Sequence, residues 1–187
     1  YIRHVLIKHA FGTGEIMLGI ITRSADIEHV NDIVSELLNS FKMIKTIVLN
    51  INTRNDNVIL GDEEINLYGD GYITDVLDGL KFRISLKSFY QVNPLQTVNL
   101  YNEVVKRAGI NKDTRVLDLY SGIGSISLFV ARYAKEVTGV EIVEAAVKNA
   151  KENARINHLN NVSFYLEDAS CNQIKHLKDK DIVIVDP

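Results

Sequence analysis

The sequence predicts an α/β protein in which residues 91–187 begin a parallel sheet built from βαβ units and residues 1–90 form a smaller α+β unit. Three observations carry this. Residues 116–141 read VLDLYSGIGSISLFVARYAKEVTGVE: an apolar strand through Asp118, a turn with Gly122 and Gly124, a helix with Ile126, Phe129, Val130 and Tyr133 on one side, and a second strand ending in Glu141. The alternation then continues, because Val143, Ala146, Val147, Ala150 and Ala154 mark a helix and residues 162–166 a third strand. Ahead of residue 87, β-branched runs punctuated by glycine surround one helical pattern.

In chain order, residues 2–10 and 15–22 are apolar runs separated by Gly12 and Gly14, a hairpin pattern. Ile27, Val30, Ile33, Val34, Leu37, Leu38 and Phe41 recur at helical steps after Ser24 and Asp26. Strands follow at 44–52, 65–68 and 80–85, with Gly69, Gly71 and Gly79 between them. No chemistry is legible in this part. Residues 87–94, KSFYQVNP, read as a linker in which Phe89 and Tyr90 are ordinary core aromatics. Asn93-Pro94 then starts a helix carrying Leu95, Val98, Leu100, Tyr101, Val104 and Val105, which Gly109 ends.

The glycine turn and Glu141 point to an adenosine-containing cofactor. Gly122 and Gly124 permit a tight turn and close approach of a ligand, and an acid ending the second strand accepts hydrogen bonds from both ribose hydroxyls. A dinucleotide wants a third small residue to seat its pyrophosphate, and position 127 is Ser. S-adenosyl-L-methionine has no phosphate and needs instead an acid near its ammonium group, for which Asp118 is placed. NAD stays as the alternative. Asp118, Glu141, Asp168 and Asp186 each fall within a residue or two of a strand's carboxyl end, where open parallel sheets bind ligands. The competing reading is that each caps the helix that follows. Cys171 has no basic neighbour to lower its pKa and reads as packing, not as a nucleophile.

Composition excludes several classes. Net charge is −3; residues 1–90 hold nine Lys and Arg against twelve Asp and Glu, and residues 91–187 hold twelve of each, so neither half is a basic module. One cysteine excludes an internal disulfide framework or a cysteine metal cluster, and the five histidines show no ligand spacing. No apolar run approaches a membrane span and no leader pattern is present, so a cytoplasmic, metal-free chain is expected. Because the sequence stops at Asp186-Pro187, directly after an apolar strand, it reads as a fragment of a longer protein.

Four blocks resemble the S-adenosylmethionine-dependent RNA uracil-5-methyltransferases of tRNA and ribosomal RNA: SFYQVNPLQTVNLY (88–101), VLDLYSGIGSISL (116–128), GVEIVEAAVKNAKENARINHLNNVSFYLEDA (139–169) and IVIVDP (182–187). Residues 1–86 are similar to that family's central domain more loosely. The resemblance implies a Rossmann-like methyltransferase domain, cut short at its carboxyl end, behind a small α+β domain. It implies that Gln91 contacts the cofactor, that Tyr120 lies against it, that Glu141 takes the ribose hydroxyls, that Asp168 stands near the adenine amino group and that Asp186 lies beside the methionine end. Ser121 stands where the family usually has Cys.

The partner so implied is RNA, either 23S rRNA or tRNA. Carbon 5 of uracil is too electron-poor to attack a methyl sulfonium unaided, so in that family a Cys thiolate first adds to carbon 6 and a base later removes the carbon 5 proton. Both groups lie after the Asp-Pro segment, as the family's iron-sulfur cysteines and RNA-binding barrel, where present, lie before residue 1. No catalytic residue is therefore expected among these 187. The rival with a similar strand end methylates exocyclic amino groups through an Asp-Pro-Pro-aromatic loop; a non-catalytic RNA-binding module is the third reading.

Overall fold

A computed structural model describes residues 2–169, 176 and 178–187. Its backbone divides into two compact units, Tyr1–Asp75 with Ser85–Lys87, and Val76–Ile84 with Ser88–Pro187. Cys171 lies outside the described residues.

The first unit is a four-stranded sheet in the order β1-β2-β3-β4, from β1 (Ile2–His9), β2 (Ile16–Thr22), β3 (Ile44–Ile51) and β4 (Glu63–Tyr68). The β1–β2 pair is the expected antiparallel hairpin; β2 and β3 are parallel, joined through α1 (Val30–Ser40). The strand β2 reads as an unbroken apolar run because both its faces are covered. On one face, Ile27, Val34, Leu37 and Leu38 pack over Leu18, Ile20, Ile47 and Leu49. On the other, Gly19 makes room for Leu86: a Cβ there would fall 2.5 Å from Leu86 Cδ1.

Two differences from the expected elements have local causes. The helix starts at Val30 because His29 is left-handed, with φ 58°, although Ile27 still reaches the core. A strand between Gly71 and Asp78, β5 (Tyr72–Leu77), pairs with β6 (Leu80–Ser85) as a two-stranded sheet. Its alternating burial is clear, but its short length between glycines gave no strand signal. Asp78 and Gly79, both with positive φ, make the two-residue turn.

In the second unit Asn93 caps α2 (Pro94–Arg107) by accepting from Gln96 N at 3.2 Å, with Pro94 in the first turn where its missing N–H costs nothing. A parallel sheet follows in the order β10-β7-β8-β9, from β7 (Arg115–Leu119), β8 (Glu136–Glu141), β9 (Val162–Leu166) and β10 (Ile182–Val185), with α3 (Ser125–Ala131) and α4 (Glu144–Ile156) as crossovers. The fold is the Rossmann-like α/β arrangement expected. Asn153 of α4 and Asn157, the C-cap of that helix, accept from Arg83 N at 2.7 Å and Lys81 N at 2.8 Å, so two side-chain amides hold β6 as a neighbouring strand would. Of the aromatic pair in residues 87–94, Tyr90 packs 5.8 Å from Phe82, whereas Phe89 is 73% exposed and is no core residue.

Candidate cofactor-binding site

The register of the parallel sheet decides which predicted residues meet. Val185 pairs with Leu119, Leu119 with Val140, and Glu141 with Leu166, so the residues that follow these strands share one edge. The line continues past the strands: Ser121 N donates to Val140 O and Glu167 N donates to Glu141 O, both at 3.0 Å. Tyr120, Glu141, Asp168 and Asp186 stand along that edge, and Asp118 lies one layer below it.

The turn between β7 and α3 is shaped by three left-handed residues, Tyr120 (φ 62°), Gly122 (φ 55°) and Gly124 (φ 85°). Tyr120 pays a conformational cost that the glycines do not. Nothing crowds Gly122, but a Cβ on Gly124 would fall 2.7 Å from Phe164 Cζ. The first glycine therefore answers the turn, and the second answers both the turn and close packing. Gly139 serves the same ring, since a Cβ there would sit 2.6 Å from Phe164 Cε1 and 2.9 Å from Ser121 Oγ.

Glu141 is bound to the turn. Its Oε2 accepts from Gly122 N at 2.9 Å and its Oε1 from Val143 N at 2.8 Å. The competing reading of Glu141 as a helix cap does not hold, because Val143 is the N-cap of α4 and no side-chain hydrogen bond caps that helix; the bond from Gly122 N ties Glu141 to the glycine turn.

Asp118 is 1% exposed. Its Oδ2 accepts from the Ser127 hydroxyl of α3, and among the described residues neither its Oδ1 nor the buried Ser121 Oγ has a hydrogen-bond partner. Burial pushes the Asp118 carboxyl up to about 7; the Ser127 hydrogen bond opposes this, and Asp186 and Glu141 add to it by charge repulsion. So Asp118, Glu141 and Asp186 form one electrostatic group. Next to them, Tyr101 of α2 donates to Ser125 Oγ at 2.9 Å, and burial pushes its hydroxyl up to about 12. A buried carboxylate with a bare oxygen suits a cation, and a carboxylate gripping a glycine turn suits hydroxyl donors.

Asp186, the exposed member of that group, lies just past β10, and Asp168 is exposed just past β9. Gln91 is half-buried and lines a groove of about 440 Å³ with Val92, Gln96 and Leu100, which the sheet-edge acids do not line. Ser127, Ser121, Tyr101 and Gly139 are site neighbours that the sequence does not single out as such. Ser127 carried a signal in the sequence only as a misfit to the dinucleotide pattern. Among the described residues no group of three or more His, Cys, Asp or Glu could hold a metal, and no helix is long and apolar enough to cross a membrane.

Residues 110–186 match the family model described as a methyltransferase domain. The second unit has an S-adenosylmethionine methyltransferase fold. Two relatives called uncharacterized RNA methyltransferases align over the whole of this chain: one from Bacillus cereus is 44% identical over 189 residues, covering 100% of this chain and 41% of its own length. Another, from Caldanaerobacter subterraneus, is 42% identical over 189 residues, covering 100% of this chain and 42% of its own. The Pyrococcus abyssi tRNA (uracil-54, C5)-methyltransferase, solved in complex with S-adenosyl-L-homocysteine, superposes with a TM-score of 0.80 at 26% identity, over 100% of this chain and 44% of that one. An M. jannaschii tRNA m1G37 methyltransferase shares the methyltransferase fold at TM-score 0.54 and 18% identity, over 87% of this chain and 49% of that one. This chain thus spans about two fifths of the length of the curated relatives it matches.

Proposed function

We propose that this chain binds S-adenosyl-L-methionine at the carboxyl edge of the β10-β7-β8-β9 sheet and serves methylation of carbon 5 of a uridine in RNA, either tRNA or 23S rRNA. The observation that carries the cofactor is Asp118: a buried carboxylate whose Oδ1 lacks a partner, beside the glycine turn that Glu141 holds. The residues fit the group. Asp118 would meet the ammonium, Glu141 the ribose hydroxyls, Tyr120 and Gly122 the space between, Asp168 the adenine amino group and Asp186 the methionine end. Gln91, which precedes α2, is proposed as a cofactor contact on the resemblance alone. A dinucleotide offers no ammonium to Asp118, and Ser127 is already committed to that carboxylate.

When bound, the cofactor supplies an electrophilic methyl group. This chain's residues orient it: the glycine turn sets the approach, and the acids fix its two polar ends. The RNA partner is supported by the names of the relatives, and carbon 5 of uridine by the similarity to the uracil-54 enzyme. The thiolate and base that carbon 5 chemistry requires are proposed to come from the segment following Asp186-Pro187 in the longer protein.

Calorimetry tests the cofactor. S-adenosylhomocysteine should bind and NADH should not, and Glu141→Ala should weaken binding about 10- to 100-fold through loss of charged hydrogen bonds. Binding of NADH in preference would overturn the reading. For the substrate, mass spectrometry of uridine-containing RNA treated with the longer protein should show 5-methyluridine. A methylated exocyclic amine would replace the uridine assignment with the amino-methylating class.

A further inference from the structure

We propose that Asp118 releases a proton to solvent when it captures the cofactor's ammonium group, with Ser127 acting as the positioning residue that leaves Oδ1 bare for it. The inference rests on the S-adenosylmethionine reading of the same site and deepens it.

The groups around Asp118 decide its state before the ligand arrives. From α3, Ser127 takes up Oδ2. From α2, Tyr101 approaches, but its hydroxyl proton is given to Ser125 Oγ at 2.9 Å. From the ends of β8 and β10 come Glu141 and Asp186, both acids. An ionised Asp118 would therefore have one hydrogen bond, two like charges acting on it and no water, since it is 1% exposed. Such a carboxyl holds its proton. An ammonium group reverses each condition: it brings the opposite charge and donors for Oδ1. The O–H bond of Asp118 breaks, its electron pair stays on the carboxylate, the proton leaves to buffer, and the ligand's amine keeps its own protons.

Three consequences follow. Affinity for an ammonium-bearing ligand falls as pH drops below neutrality, by about 20-fold between pH 7.5 and 5.5 for a single proton with a midpoint near 7. A ligand with the same adenosine but no ammonium releases no proton. Loss of the Ser127 hydroxyl moves the pH midpoint upward, because that hydrogen bond favours the ionised form.

The test is titration calorimetry of the full chain with S-adenosylhomocysteine and with 5′-methylthioadenosine, in two buffers of different ionisation enthalpy at pH 6 and 7. S-adenosylhomocysteine should release close to one proton at pH 6 and about half at pH 7, and methylthioadenosine none. Asp118→Asn should bind S-adenosylhomocysteine more weakly, with no proton release. Ser127→Ala should shift the pH profile of affinity upward; a merely structural role would lower affinity equally at every pH. Equal proton counts for the two ligands, or an unchanged profile in Ser127→Ala, would overturn the inference and leave the cofactor assignment standing. Absence of heat with both ligands would overturn both.

Discussion

Asn50 in the first unit and Asp118 in the second hold matching stations. Each is a polar side chain on an interior strand of its sheet, 0% and 1% exposed respectively, among apolar neighbours. Their surroundings differ. Asn50 accepts from Gly61 N at 2.7 Å and donates to Gly61 O at 3.1 Å, and Asn52 likewise donates to Val58 O and Ile59 O and accepts from Arg54 N. Together they bind the segment between β3 and β4 onto the sheet. Asp118 has one oxygen satisfied and one bare. A buried polar group whose partners are all supplied by the chain is scaffold, while one left incomplete marks the place of a guest.

The pH dependence of stability tests that contrast most strongly. The folded state raises the Asp118 carboxyl from 3.8 to about 7, so it binds the proton more tightly than the unfolded chain does. Stability from this group is full below the unfolded value and is lost as pH rises through the folded one. Its contribution falls by up to about 4 kcal/mol across that window. Urea unfolding between pH 4 and 8 should show a decline in the stability of the wild-type chain that Asp118→Asn lacks. Asn50→Ala comes next. It strands Gly61 N and O in the interior and should cost about 3 kcal/mol at every pH, with no slope of its own. A pH-dependent loss there would erase the distinction between the two stations. The smallest effect is expected at Gly139→Ala, where the added methyl meets Phe164 Cε1 and Ser121 Oγ. A cost of about 2 kcal/mol, partly recovered in the double variant with Phe164→Leu, would place the strain at that ring.

Legibility in the sequence follows how local each feature is. The glycine turn, Glu141 and the helix start at Asn93-Pro94 are read from a few neighbouring residues, and the structure forms those elements where the pattern puts them. The Ser127–Asp118 bond joins two elements and depends on how α3 lies on β7. The Asn153 and Asn157 contacts to β6 cross 70 and 76 residues of chain, and no spacing rule announces them. Gly139 reads as any glycine in a strand, because the ring it makes room for, Phe164, stands opposite it on β9. His29 shortened a helix that periodicity alone would begin earlier, and the strand Tyr72–Leu77 was hidden by its bracketing glycines.

Glu141 has lone pairs to spare. A carboxylate offers about four acceptor directions, and the bonds from Gly122 N and Val143 N use two of them. Two hydroxyls can therefore dock without evicting either amide, and the loop need not be remodelled to admit them. The mould is cast before the casting arrives: hydrogen exchange at Gly122, measured without added cofactor, should already be slow, and ordering entropy at that loop should weigh little on affinity.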